Sequence, residues 1–340
     1  MKTLDLALLG FGNAGRAFAR LLLDKHDTIL AQYGADVRVT AIATGRHGAL
    51  VDEGGIDLRR ILDRLERDDT LPGAIDRTAP DIAQNAAYDV LVEATPLNIR
   101  TGQPAIDHIR AALMRGKHAV TANKGPVAWA WHELRDLARK NGVCLFCETT
   151  VMDGTPVFNL VDRTLPLAEV TEVSGILNST TNFILERLAN GEDHDAILAE
   201  GRRLGFVEAD PSMDIDGYDA AAKITALLNV LMDARMTPDR VDRTGIGHIT
   251  VADIRAAAAR GNVIKLMCRG WREKGTVQAS VKPVEVPKGD LLAAIDATSS
   301  VVSITTDLMG KLSVVEHDPL IEQTAFGIFS DVLRVVEETT

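Results

Sequence analysis

Leu4-Asp5-Leu6-Ala7-Leu8-Leu9-Gly10-Phe11-Gly12-Asn13-Ala14-Gly15 sets a short apolar run directly against a G-x-G-x-x-G turn. The run is short, apolar and stopped by glycine, which is the pattern of a buried strand. Ala17, Phe18, Leu21 and Leu22 follow at helical spacing. Strand, glycine turn and helix together make the first crossover of a doubly wound α/β domain. Its glycines allow a tight turn and a close backbone approach to a pyrophosphate, whose charge then faces a helix N-terminus. Gly10, Phe11, Gly12, Asn13, Ala14 and Gly15 are therefore candidate cofactor-binding residues. The competing reading is an ordinary tight strand-to-helix turn.

Outward from that turn, Val37 to Ala43 reads as the next strand and ends in Thr44-Gly45-Arg46-His47. No Asp or Glu stands where a carboxylate would grip a ribose 2′-hydroxyl. Arg46 is either a contact for a 2′-phosphate, which favours NADP over NAD, or a solvated loop arginine. Residues 45–80 are charged and glycine-rich, so a crossover helix through Leu58, Ile61, Leu62 and Leu65 and a mobile loop are expected. Asp89 to Thr95, His118 to Ala122 and Val143 to Glu148 read as further strands. Helices lie between them, one through Ile106 and Leu113 and one from Pro126 to about Asn141. Such alternation builds a parallel sheet with helices on both faces. Beyond residue 150 the pattern changes to strands at Ala168–Leu177, Val277–Val286 and Val301–Asp307. They are mixed with helices at Thr181–Leu188, Asp195–Leu204, Asp219–Met232 and Ile321–Val336. The expected fold class is α/β, with a Rossmann-type dinucleotide-binding domain over 1–150. An α+β substrate and dimerisation domain over 151–315 follows, and a C-terminal helix in 316–340 packs back on the nucleotide domain.

Composition narrows the partners. The 340 residues carry 37 Lys+Arg against 48 Asp+Glu, a net charge of −11, and only 4% aromatics. That balance excludes the basic face a nucleic acid needs and the aromatic platform that stacks single-stranded bases. No run of 18 apolar residues suggests a membrane span, and the opening residues do not read as a signal peptide. Cys144, Cys147 and Cys268 cannot make a disulfide framework, which fits a reducing cytoplasm. Cys144 and Cys147 are spaced C-x-x-C, but without a second ligand pair they read as small apolar residues on a buried strand rather than a zinc site. A small molecule is the expected partner.

Lys124 lies just past a parallel strand, at the end where open α/β sheets bind ligands. A cation there opposes the helix dipole, which argues for a use. From Glu208 to Asp219 five carboxylates fall within twelve residues: Glu208, Asp210, Asp214, Asp216 and Asp219. Lys223 follows Asp219 at i,i+4, so both project from one helix face. Desolvation or another cation would tune such a lysine for proton transfer; the competing reading is an exposed ion pair.

The ordered motifs resemble those of the homoserine dehydrogenase family along nearly the whole chain. They are Gly-Phe-Gly-Asn-Ala-Gly at 10–15, Val-Glu-Ala-Thr at 92–95, Gly-Lys-His-Ala-Val-Thr-Ala-Asn-Lys at 116–124, and Glu-Thr-Thr-Val at 148–151. Gly-Ile-Leu-Asn-Ser-Thr-Thr-Asn at 175–182, Leu-Gly-Phe-Val-Glu-Ala-Asp-Pro at 204–211 and Asp-Ile-Asp-Gly-Tyr-Asp-Ala-Ala-Ala-Lys at 214–223 complete the set. The resemblance implies reversible NAD(P)-dependent reduction of L-aspartate 4-semialdehyde to L-homoserine by a homodimer. It implies that Lys223 donates the proton to the alkoxide, that Lys124 polarises the same oxygen, and that Asp219 orients Lys223 and a water. Glu208 accepts the substrate ammonium, Asp214 and Thr180 line the substrate site, and Thr95 joins the cofactor site. Glu148 with the carbonyls of Val151, Asp153 and Thr155 matches the family's site for a monovalent cation such as Na+.

Departures from the pattern keep two alternatives open. Glu316-His317-Asp318-Pro319-Leu320-Ile321-Glu322-Gln323-Thr324-Ala325 replaces a glycine-rich loop before the last helix, and Ser179, Ser299-Ser300 and Phe206 are also unusual for the family. These changes suit a related oxidoreductase acting on another small aldehyde or hydroxy acid, or a catalytically inactive nucleotide-binding sensor. Retention of Lys124, Asp219 and Lys223 argues against the sensor. The length leaves no room for an appended regulatory ACT domain, so no threonine control through one is expected.

Overall fold

β1 (Lys2–Leu9) passes through the glycine turn into α1 (Asn13–Tyr33), as the opening residues require. The computed structural model describes residues 2–205, 207 and 210–339. The chain divides into two units, Met1–Pro156 with Leu320–Thr340, and Val157–Pro319.

In the first unit α1 is followed by β2 (Ala35–Ala43), β3 (Ala49–Val51), α2 (Leu58–Asp68) and α3 (Ala79–Asn85). β4 (Val90–Glu93), α4 (Ala105–Met114), β5 (His118–Thr121), α5 (Lys124–Asn141) and β6 (Leu145–Phe146) complete it. The strand order is β3-β2-β1-β4-β5-β6. All neighbours are parallel except β3, which pairs antiparallel with β2.

Alternation along β1 explains why both faces need helices. Leu4, Leu6 and Leu8 join Phe18 and Leu22 of α1, Ile61, Leu62 and Leu65 of α2, and Ile328 and Val332 of the terminal helix Ile321–Glu338. Ala7 and Leu9 point the other way, into a core with Ile82 and Ala83 of α3 and Ala112 of α4.

Two expectations for this unit need correction. Part of the loop expected to be mobile after Ala43 is a hairpin into β3. The Thr44 amide donates to the Gly48 carbonyl at 2.9 Å, and the Thr44 hydroxyl accepts the His47 amide at 2.8 Å. The strand expected over Val143–Glu148 shrinks to Leu145–Phe146, because Glu148–Thr150 turns into a 3-10 helix. Cys144 and Cys147 therefore flank the strand rather than sit on it. Burial pushes the Cys147 thiol well above its usual range, so it behaves as an apolar side chain and not as a reactive thiolate.

The second unit begins with α6 (Phe158–Thr164), β7 (Val170–Ile176), α7 (Ser179–Ala189), α8 (His194–Leu204), α9 (Ser212–Ile215) and α10 (Tyr218–Leu231). It continues with β8 (Asp242–Arg243), α11 (Val251–Ala259), β9 (Asn262–Glu273), β10 (Thr276–Pro287), β11 (Ser300–Thr306) and β12 (Gly310–Glu316). Its sheet runs β12-β11-β7-β9-β10-β8. β9 and β10 are joined by Lys274-Gly275, both at positive φ, the two-residue turn whose twist suits a hairpin. Asn178 caps α7 by accepting the Thr181 amide at 2.8 Å, so the chain leaves β7 and starts a helix within two residues. α10 buries Ala220, Ala221, Ala222, Ile224, Ala226, Leu227 and Leu228.

Within this sheet β7 has β9 on one side and β11 on the other. Its backbone groups are already committed. Among the described residues, β8 covers the outer edge of β10 only at Ser280 and Val281.

Candidate active site

Three strands of the first unit end on one line. Leu9 pairs with Glu93 and Glu93 with Thr121, so Gly10, Thr95 and Lys124 all leave the sheet at the same carboxyl edge. This is the edge where open parallel sheets bind ligands. Gly10 has φ +93°, and a Cβ there would lie 2.1 Å from the Ala94 carbonyl oxygen. A Cβ on Gly15 would lie 2.6 Å from the Gly10 oxygen, whereas one on Gly12 would meet nothing within 4 Å. The fold itself thus demands the first and third glycines. The second leaves open space beside the N-terminus of α1, where a pyrophosphate can approach. Phe11 turns its ring into the core with Phe18, so a cofactor would meet its main chain only. Asn13 is exposed and Ala14 half-buried. Arg46 is exposed in the β2–β3 hairpin, with no carboxylate between Thr44 and Gly48.

Lys124 is the first residue of α5. Asn123 precedes it and accepts the Gly125 amide at 3.0 Å while its Nδ2 donates to the Thr95 carbonyl at 3.2 Å. Thr95 is held in turn by Glu93, whose Oε1 accepts the Thr95 amide at 3.2 Å and the Thr95 hydroxyl. The same first unit carries Glu148 and Val151, both buried, with the Glu148 amide donating to Asp331 at 2.8 Å. Asp153 stands at φ +45° and accepts the Thr324 hydroxyl at 2.7 Å; the Thr155 amide donates to the Met152 carbonyl at 2.8 Å. Among the described residues no three His, Cys, Asp or Glu side chains gather as a metal site. A cation in this segment would depend on main-chain carbonyls beside the Glu148 carboxylate, an all-oxygen set suited to a hard ion.

The second unit assembles most of the other sequence candidates around one asparagine. Asn178 Nδ2 donates to Asp214 at 2.7 Å and to Asp219 at 3.0 Å. Lys223 Nζ donates to the Leu177 carbonyl at 2.7 Å and lies 3.5 Å from Asp219. The Asp219 and Lys223 side chains are 13% and 17% exposed, which rules out the solvated surface pair. Thr180 is buried and hydrogen-bonded to Asp214. The arrangement presents an ammonium whose position is set by a main-chain carbonyl and a carboxylate. The short α9 brings Asp214 to the same Asn178 amide that Asp219 accepts from. Glu208 and Phe206 lie outside the described residues. Asn178 was quoted in the sequence only as part of a motif, and its linking role is new. The one local signal is an asparagine at a helix start after a strand.

Burial raises the Asp214 carboxyl above its ordinary range, and Asp219 adds to the effect, against the opposing pulls of Asn178, Lys223 and Thr180. A raised carboxyl pKa means the ionised form is disfavoured in the folded protein. That penalty is in full force above the raised pKa and vanishes once pH falls below the unfolded carboxylate value. Asp214→Asn is therefore expected to melt at or above the wild-type temperature at pH 8, with the gap closing as pH drops toward 4 in a thermal-shift series. A gap that widens on acidification would contradict this account.

Comparison with known proteins agrees with the geometry. A family profile described as homoserine dehydrogenase matches residues 156–333, and one described as homoserine dehydrogenase, NAD binding domain, matches residues 10–148. The chain is 33% identical to an NAD(+)-dependent homoserine dehydrogenase of Pseudomonas canavaninivorans over 100% of this chain and 98% of that one. It is 36% identical to a homoserine dehydrogenase of Methanocaldococcus jannaschii over 99% of both. A hyperthermophilic archaeal homoserine dehydrogenase in complex with NADPH superposes with a TM-score of 0.83 at 25% identity, covering 99% of this chain and 98% of the other.

Proposed function

The chain belongs to the homoserine dehydrogenase family, and on that premise we propose which of its residues do the work. It is an NAD(P)-dependent oxidoreductase of the CH–OH group that interconverts L-homoserine and L-aspartate 4-semialdehyde. In our reading the first unit holds the cofactor and the second holds the amino-acid substrate. The bound nicotinamide supplies or accepts the hydride. As the aldehyde is reduced, negative charge grows on its oxygen, and a positioned ammonium must neutralise and then protonate it. Lys223 is the proton donor, Asp219 and the Leu177 carbonyl orient it, and Lys124 polarises the oxygen. Asp214, Thr180 and Glu208 hold the substrate, Glu208 by accepting its ammonium. The observation that carries this assignment is the Lys223 ammonium, largely withdrawn from solvent between the Leu177 carbonyl and Asp219. An absorbance assay of L-homoserine with NAD and NADP, run side by side at alkaline pH, tests it. Absence of turnover with both would overturn it.

Gly10, Phe11, Gly12, Asn13, Ala14, Gly15, Thr95, Lys124 and Arg46 form the proposed cofactor site. The similar proteins point both ways on cofactor, one named NAD(+)-dependent and one holding NADPH. The exposed Arg46 beyond a strand that lacks a carboxylate favours NADP. A charge-assisted contact of ~2 kcal/mol is worth more than tenfold in affinity. Arg46→Ala is expected to raise KM for NADP by about tenfold and to leave KM for NAD within about twofold. Equal effects on both would assign Arg46 to the solvent.

Glu148 and the carbonyls of Val151, Asp153 and Thr155 would hold a monovalent cation such as Na+, supported by the burial of the Glu148 side chain. No helix among the described residues is long and apolar enough to cross a membrane. The three free cysteines suit a reducing cytoplasm. Homodimerisation is proposed through the second unit, where the outer edge of β10 is largely uncovered.

A further inference from the structure

Glu93 ends β4 with 0% exposure, one position after a run of Val90, Leu91 and Val92. A strand there needs only another apolar residue, yet it carries a carboxylate that is expensive to bury. Glu93 Oε1 serves the Thr95 amide, the Thr95 hydroxyl and, at 3.4 Å, Nδ1 of His108, which is 1% exposed on α4. Glu93 Oε2 and His108 Nε2 are buried with no hydrogen-bond partner among the described residues. The pair therefore concentrates its bonding on one oxygen, and that oxygen faces one turn.

Two neighbours lean on this turn. A Cβ on Gly10 would strike the Ala94 oxygen, so the glycine loop packs directly against it. The Thr95 carbonyl receives Asn123 Nδ2, and Asn123 caps the helix that begins with Lys124. The Asn123 amide is also fixed, donating to the Thr121 hydroxyl at 3.0 Å. A shift of Thr95 thus moves the cap of α5 and the residue next to it.

We propose that Glu93 and His108 are a buried positioning pair, which sets the Thr95 turn and, through Asn123, the placement of Lys124. The pair touches no reacting atom. Its value to the reaction is geometric, and it rests on the assignment of Lys124 given above. A misplacement of about 1 Å costs up to a hundredfold in rate.

A double-mutant cycle on the purified full chain tests it, with kcat normalised to folded, NADPH-binding molecules. Glu93→Gln keeps an oxygen at the same reach and should retain kcat within about threefold. Glu93→Asp, one methylene shorter, should lose ten- to a hundredfold. In the Lys124→Ala background Glu93→Asp should add no further loss, because the group it places is gone. If Glu93→Asp does not fold, His108→Leu carries the test: kcat per folded, NADPH-binding molecule should fall about tenfold with no further loss in the Lys124→Ala background, and an unchanged kcat overturns the proposal. Unchanged kcat per folded molecule in Glu93→Asp, or losses that multiply fully in the double variant, would overturn the proposal. A Lys124→Ala enzyme with wild-type kcat would instead overturn the Lys124 assignment, a separable result.

Discussion

Lys223→Ala lowers kcat for homoserine oxidation by a hundredfold or more and leaves NADPH affinity within about twofold. The size follows from the proposed role: a positioned general acid or base contributes 10²–10⁴-fold. The selectivity follows from place, since Lys223 sits on α10 among second-unit partners, Leu177 and Asp219. Structural cost does not mask the effect. Leu177 loses one donor and Asp219 its neighbouring cation, a penalty of about 1–3 kcal/mol that a domain of this size survives. Lys223→Arg separates charge from proton transfer. Guanidinium keeps the positive charge but does not release a proton at working pH. Activity in Lys223→Arg should remain low. Recovery to near wild-type rates in the arginine variant would show that Lys223 supplies charge alone.

Legibility in the sequence tracked the length scale of each signal. β1, the glycine turn and α1 were readable because apolar period, glycine and helical spacing act within about twenty residues. α2 was readable from Leu58, Ile61, Leu62 and Leu65, which line one face and are all buried. β9 was not, because its charged and polar residues break the apolar alternation. One of them, Lys265, is itself buried, donating to Asn182 at 2.8 Å. β3 is three residues long and exists only because the Thr44 turn folds it back on β2. In the site, Asp219 and Lys223 were visible through i,i+4 spacing. Asn178 was not, since its bonds to Asp214 and Asp219 join residues some forty positions apart. Glu93 stood inside a quoted motif without a role, because pattern alone does not distinguish a buried acid from one that ends a strand at the surface.

Gly12→Val weakens cofactor binding by about a hundredfold while leaving the melting temperature of the cofactor-free protein within about 2 °C of wild type. The asymmetry among the glycines carries this expectation. Gly12 has φ −80°, an ordinary conformation for a residue with a side chain, and a Cβ there meets no protein atom within 4 Å. The cost of the new side chain falls on whatever approaches the start of α1, where unpaired backbone amides favour a phosphate. Filling that space should weaken NADPH binding on the order of a hundredfold, about 2.7 kcal/mol, read by fluorescence titration. Gly10→Ala reverses the pattern. Its Cβ would sit 2.1 Å from the Ala94 oxygen at φ +93°, so the β1–β4 edge must shift before any ligand arrives. That variant should lose several degrees of melting temperature without cofactor present. Should Gly12→Val bind NADPH normally, the phosphates lie elsewhere and the open space beside Gly12 is only a surface. Should Gly10→Ala prove as stable as wild type, the glycine loop does not brace the Thr95 turn, and the coupling from β1 to Lys124 loses its first link.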